Sequence, residues 1–109
     1  MAFSKQSLYS RELQIISGFM KALSFPGRLE ILLKLESEGP LTVNQLAKGH
    51  PICRETISQH LKILRKAHLV IADERYPYTL YRVHVANMRK ARKALDWFFK
   101  HFSGGKKRS

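Results

Sequence analysis

The 109-residue sequence is poor in cysteine and acidic residues, and it has no long hydrophobic run. A single cysteine, Cys53, excludes an intrachain disulfide and a zinc site made of several cysteines. Apolar runs such as 31–33 and 97–99 are far shorter than the roughly 20 residues of a membrane-spanning helix. The first residues lack the charged start, apolar stretch and cleavage site of a signal peptide. By default we expect a cytoplasmic protein with no membrane partner.

Basic residues dominate the charge. Twenty Lys and Arg against eight Asp and Glu give a net charge of +12, which attracts polyanions such as DNA, RNA or anionic membrane surfaces. A merely soluble basic protein is the alternative. Because no basic amphipathic helix of membrane type is present, nucleic acid is the favoured partner. The length predicts one domain over residues 1–103, followed by a flexible basic tail over 104–109.

Apolar spacing and turn residues predict a mostly α-helical fold with a small β-hairpin, in the order α-α-α-α-β-β-α. Thr42 with Gln45 forms a possible capping box for the third helix, and Asn87 is the expected N-cap of the last one. Two short helices that meet across a tight turn and are followed at once by a hairpin are typical of a winged helix-turn-helix. The predicted helices cover 7–23, 26–37, 42–49, 54–66 and 87–102, and the hairpin covers 69–85.

The fourth predicted helix has the pattern of a DNA-reading helix. Ile57, Leu61 and Leu64 would form its buried seam, with His60 beside that seam. Side chains on the opposite face suit base edges in a major groove, and those near the helix end suit phosphates. An ordinary solvated face is the alternative interpretation. The candidate DNA-binding residues of this helix are Arg54, Glu55, Thr56, Ser58, Gln59, Lys62 and Arg65.

Residues 20–85 resemble the ArsR/SmtB repressors. The segment 21–32 is KALSFPGRLEIL, similar to the family opening ALxDPTRLxIL, and 41–47 fits the family's third helix. The segment 52–70 is ICRETISQHLKILRKAHLV, similar to the recognition segment LSxxTVSxHLKxLxxAGLV, and 78–83 resembles the second wing strand. The resemblance implies a homodimeric transcriptional repressor that binds an inverted repeat in double-stranded DNA, with the outer helices at the dimer interface.

The metal ligands of many family members have no counterpart. Residues 41–45 lack the Cys-x-Cys pair that some members carry in the third helix. Asn87 and Met88 stand where others begin the last helix with Asp and His, and Asp96 with His101 does not reproduce the remaining spacing. The five histidines are scattered, whereas a metal site needs several converging ligands. We therefore expect no metal and no other cofactor, and the effector is unknown.

Cys53 stands at the N-cap of the fourth helix, where the family usually has serine. The helix start and Arg54 would stabilise a thiolate there, as in a redox sensor. The alternative is a weak cap that tolerates the change from serine. We favour the weak cap, because a reversible dithiol switch needs a second cysteine.

The predicted wing tip carries Asp73 and Glu74, which would be repelled by phosphates. The wing is therefore expected either to contact DNA through Arg75 alone or to swing aside from the DNA. Pro77 suits a turn but not a central position in a strand ladder.

The terminal helices are rich in apolar residues, and the last one carries more aromatic side chains than a core of this size needs. A second protein surface is therefore expected, and a dimer is its simplest use, although these side chains can also pack within one chain. The candidate dimer-interface residues are Leu8, Leu13, Ile16, Leu95, Phe98, Phe99 and Phe102.

Two functions agree with these patterns. One is a sequence-specific repressor that is not metal-responsive. The other is a winged-helix module that binds protein, or binds nucleic acid nonspecifically. An enzyme is not expected, since the sequence has no nucleophile–base pair, glycine-rich phosphate loop or paired carboxylates.

Overall fold

The computed structural model describes residues 8–102, and over this range the elements follow the predicted order. The predicted tail, 104–109, lies outside the described residues. No helix in the described range is long and apolar enough to cross a membrane. The elements are α1 (Arg11–Ala22), α2 (Pro26–Glu38), α3 (Val43–Ala47), α4 (Arg54–Lys66), β1 (Val70–Arg75), β2 (Tyr78–Val83) and α5 (Val85–Lys100).

Capping side chains mark the first turns of α1 and α3. The predicted capping box of α3 is confirmed: Thr42 Oγ1 accepts from the Gln45 amide at 3.1 Å, and the Thr42 amide donates to Gln45 Oε1 at 2.9 Å. The predicted start of α1 at residue 7 was too early, because Ser10 Oγ accepts from the Leu13 amide and caps the helix there.

The prediction that Asn87 caps the last helix was wrong. His84 is the N-cap, because its Nδ1 accepts from the Asn87 amide at 3.2 Å. Asn87 lies inside the first turn of α5. From there its side-chain Nδ2 donates to the carbonyl oxygen of His68, at 2.9 Å. Asn87 therefore ties the start of α5 to the end of α4.

The core lies between α2, α3, α4 and the base of the hairpin. The predicted seam of α4 is confirmed, since Ile57, Leu61 and Leu64 are at most 1% exposed. His60, expected beside the seam, is itself buried, at 8% exposure. The packing fixes which face of α4 points outward.

The hairpin is a regular antiparallel pair, and three residues separate its first strand from the end of α4. Val70 lies opposite Val83, and Arg75 lies opposite Tyr78 at the tip. Backbone hydrogen bonds in both directions join Tyr81 to Leu41, at 2.8 and 3.0 Å. This bridge fixes the wing to the connection between α2 and α3.

Candidate nucleic-acid interface

The outer face of α4 presents the polar side chains that the sequence singled out. Most of them are exposed, because the buried seam occupies the opposite side of the helix. Thr56 differs: it is half-buried, and its hydroxyl lies 3.4 Å from Cys53 Sγ. The exposed candidates on this helix are Arg54, Glu55, Ser58, Gln59, Lys62 and Arg65.

Cys53 and Glu55 lie at the N-terminal turn of α4. Cys53 occupies the N-cap position as predicted, but its side chain accepts no hydrogen bond from the helix amides. The Glu55 carboxylate in the same turn has its pKa lowered, mainly by a hydrogen bond from its own backbone amide and also by Cys53 and Arg54. Glu55 is therefore ionised at neutral pH, and it stands as an anion beside Arg54 at the tip of the helix.

The turn between α3 and α4 is held by His50. Its Nδ1 accepts from the Ile52 amide at 3.2 Å, and its Nε2 lies 2.9 Å from the Glu30 carboxylate of α2. Since Nδ1 accepts, the proton is on Nε2, which donates to Glu30. This contact anchors the turn that sets the angle between the two short helices.

The acidic residues of the wing are engaged within the hairpin. Arg82 Nε donates to the Asp73 carboxylate at 2.8 Å, and the Thr79 hydroxyl donates to Glu74 Oε1 at 2.9 Å. The expected repulsion between these carboxylates and phosphates is thereby reduced. Arg75 is exposed next to the Tyr76–Pro77 turn, at the tip of the hairpin.

A polar cleft separates the wing from the helix-turn-helix, and the sequence analysis did not identify it. Its volume is about 230 Å³, and Arg54 of α4 is one of the residues that line it. Asn44 of α3 and Tyr78 of β2 lie on its two walls. Local sequence offered one signal, the exposed polar position of Asn44 in the capped helix α3. The pairing with Tyr78 depends on how the wing folds back.

A second surface of the chain is apolar. Helices α1 and α5 pack against each other, and Ile16, a candidate interface residue, is buried within the chain at 4% exposure. Leu95 and Phe98 are half-buried. Ile15 and Trp97, which the sequence analysis did not name, are exposed on these helices. We use the name α1–α5 surface for the exposed apolar side chains on and next to these two helices, which are spread over more than one face of each helix. The set consists of Leu8, Leu13, Ile15, Trp97, Phe99 and Phe102.

Histidine, cysteine and carboxylate side chains do not gather at any one point of the described range. Between residues 8 and 102, no three of them lie close enough together to hold a metal ion.

The part of the chain that contains α2, α3 and α4 is similar to known proteins. The profile described as "Bacterial regulatory protein, arsR family" matches residues 26–72, which run from the start of α2 into β1. The HTH-type transcriptional regulator Rv2034 of Mycobacterium tuberculosis is 34% identical over 79 residues, which is 72% of this chain and 73% of that regulator. The chain belongs to the arsR family.

Two further relatives agree with this assignment. The HTH-type transcriptional regulator NmtR of Mycobacterium tuberculosis is 36% identical to this arsR-family chain over 76 residues. That alignment covers 67% of this chain and 62% of NmtR, so the chain spans less than two thirds of that relative. The crystal structure of a possible transcriptional regulator for arsenical resistance is similar to this chain, with a TM-score of 0.68 and 32% sequence identity. The match covers 73% of this chain and 82% of that protein's chain.

Membership of the arsR family carries two conclusions. The chain has the winged helix-turn-helix fold, in agreement with the element order and the two-stranded wing. It is also a member of a family of transcriptional regulators and not of enzymes.

Proposed function

We propose that this chain is a transcriptional repressor that binds an inverted-repeat operator in double-stranded DNA as a homodimer and does not respond to metal. The observation that carries the proposal is the outer face of α4. It exposes base-reading and phosphate-binding side chains on a helix that its buried seam holds in one orientation. The net charge of +12 adds a sequence-independent attraction to DNA.

Two groups of contacts are expected along α4. Arg54 at its start and Gln59 near its middle have side chains that can form bidentate hydrogen bonds with guanine and adenine, respectively. Lys62 and Arg65 lie further along, where contacts to phosphate position the protein without reading sequence. All four side chains are exposed, as contact with DNA requires, and the division between them rests on their types and positions along the helix.

The α1–α5 surface supports the homodimer. Phe99 and Phe102 are 58% and 68% exposed, and Leu8 is 80% exposed. Shallow apolar grooves between these side chains, such as one of about 130 Å³ at Ile15 and Trp97, offer room for side chains of a second copy. To bind an inverted repeat, a twofold dimer must place its two copies of α4 about 34 Å apart, one turn of DNA, in successive major grooves.

Selection of bound fragments from random DNA tests the proposal. We expect an inverted repeat to be enriched, and its affinity to be unchanged by added Zn²⁺ or Ni²⁺. The variant Q59A should lose about 1–3 kcal/mol at the operator and relax base preference at one position of each half-site. The matched variant K62A should weaken operator and random DNA alike and lower the salt slope by about 0.9 for each protomer of the dimer.

Each part of the proposal has an outcome that contradicts it. Enrichment of no sequence, with equal loss for Q59A and K62A on all DNA, would indicate a nonspecific nucleic-acid-binding module instead. Absence of DNA binding altogether would favour a protein-interaction module. A change of operator affinity on addition of metal would contradict the proposed independence from metal.

A further inference from the structure

A buried polar pair joins the DNA-reading helix to the rest of the fold. Arg28 of α2 and His60 of α4 are 5% and 8% exposed, and they are the buried polar side chains within residues 8–102. Arg28 Nη1 donates to His60 Nδ1 at 3.3 Å. Arg28 Nε donates to the carbonyl oxygen of Ala22, the last residue of α1, at 2.7 Å. The pair therefore links the end of α1 to the middle of α4.

The geometry selects one protonation state of His60. A guanidinium only donates hydrogen bonds, so Nδ1 must accept and carries no proton. The imidazole in this arrangement is neutral, with its proton on Nε2. Its position is closely defined, since a Cβ placed on Gly27 would lie 2.9 Å from Nε2. The Phe25 ring covers the guanidinium at 4.5 Å, which holds Arg28 in place as well.

Within residues 8–102, no carboxylate forms an ion pair that would offset a charge on His60. Over residues 8–102 neither Arg28 nor His60 takes part in an ion pair. The charged and titratable groups that act on the imidazole are Arg28 from α2 and His50 from the α3–α4 turn, and His50 is engaged with Glu30. Burial, Arg28 and His50 all lower the pKa of His60 below its ordinary 6.5.

We propose that neutral His60 is a positioning residue for α4, and that protonation of His60 releases α4 and weakens DNA binding. A proton on Nδ1 would replace the hydrogen bond from Arg28 by two opposed N–H groups. It would also bring two positive charges together in a buried site, where repulsion is strong. Since His60 neighbours Ser58, Gln59 and Lys62 along the helix, a shift of the imidazole moves the DNA-reading face. The consequence for DNA rests on the proposed function.

The direction of the pH effect follows from the lowered pKa. Below pH 6.5 the unfolded or released state binds a proton more readily than the native state does. The stabilising contact is therefore complete above pH 6.5 and is lost as the pH falls through the native pKa of His60. This direction is opposite to that expected from exposed histidines, because their protonation adds positive charge and strengthens binding to DNA.

Comparison of wild type with H60N separates the positioning role from general effects of pH. The Asn side-chain oxygen takes the place of Nδ1 as an acceptor for Arg28 but does not titrate in this range. H68N is the matched control: His68 is an exposed histidine whose left-handed φ of 61° suits asparagine. Operator affinity is measured between pH 7.5 and 5.5, within the range where circular dichroism of each variant is unchanged.

As the pH falls, we expect wild type and H68N to lose operator affinity relative to H60N. In each protomer the loss approaches about tenfold for every pH unit by which the pKa of His60 is lower in the DNA-bound protein than in the free protein. Nitrogen NMR of wild type at pH 7.5 should show the Nε2–H tautomer of His60. Amide signals of Ser58, Gln59 and Lys62 should titrate together with that imidazole. Parallel affinity profiles of wild type and H60N would overturn the proposal.

The NMR measurement needs no DNA, so it separates failure of this inference from failure of the proposed function. If the protein binds no DNA but the α4 amides titrate with His60, the positioning role stands and the repressor function fails. If His60 carries its proton on Nδ1 at pH 7.5, or if the α4 amides do not follow its titration, the positioning role is overturned whether or not DNA binds.

Discussion

Arg82 on β2 donates to the carboxylate of Asp73 on β1 at 2.8 Å, joining the two strands of the wing. The side chains are 46% and 35% exposed, so the pair contributes at most about 1 kcal/mol to stability. Its larger effect is on the electrostatics of the wing. The carboxylate neutralises an arginine that would otherwise be free to contact phosphate.

We expect D73N to strengthen binding to operator and random DNA alike. Removing the carboxylate frees Arg82, and one charge contact at about 4 Å in water is worth roughly 1 kcal/mol, or about fivefold in affinity. The salt slope should steepen by about 0.9 for the phosphate contact added in each protomer. The matched control is D96N, which disrupts the Arg92–Asp96 pair of α5. An equal gain for D96N would show that net charge alone is responsible and would contradict a wing close to DNA.

Replacing the thiol at the start of α4 should stabilise the protein. Cys53 makes no side-chain hydrogen bond to the helix amides, whereas serine is among the best N-cap residues. We expect C53S to raise the free energy of unfolding by about 0.5–1 kcal/mol in urea denaturation. C53A, which also lacks a cap, should leave it nearly unchanged. Equal values for C53S and C53A would contradict the weak-cap interpretation.

The close approach of Gly27 to His60 makes G27A destabilising. A Cβ at Gly27 would lie 2.9 Å from His60 Nε2 and 3.3 Å from Ile52 Cδ1, so the imidazole or the α2 backbone must move. Overpacking of this kind costs about 1–3 kcal/mol of unfolding free energy. Gly18 in α1 provides the control, because a Cβ there meets nothing within 4 Å and G18A should stabilise by up to about 1 kcal/mol. Similar effects of both variants would contradict the close packing of His60.

A charge on the α1–α5 surface should separate the proposed dimer. We expect F99E to sediment as a monomer where wild type is a dimer, because an unpaired carboxylate would be buried at the interface. The control is L33E on α2, because Leu33 is 71% exposed and lies outside this surface. F99E should also weaken binding to the full inverted repeat by about 10²-fold or more while half-site binding is retained, since linked sites no longer cooperate. A wild type that sediments as a monomer would refute the homodimer.

The sequence was sufficient to predict features that depend on residues close together along the chain. Ile57, Leu61 and Leu64 recur at helical spacing, so their burial and the exposure of the opposite face of α4 followed from periodicity alone. The capping box of Thr42 and Gln45 spans four residues and was equally predictable. The start of α5 was not, because a histidine at position 84 is an uncommon cap whose use depends on how its ring turns toward the Asn87 amide.

Local pattern and family resemblance together predict the winged helix-turn-helix, since helices, turns and hairpins follow from interactions over a few residues. The Arg28–His60 pair and the cleft between Asn44 and Tyr78 join residues 32 or more positions apart. No local pattern predicts such pairs, because their contact depends on how the helices and the wing pack around the shared core. Tertiary structure therefore decided the protonation state of His60 and the place where the wing approaches α4.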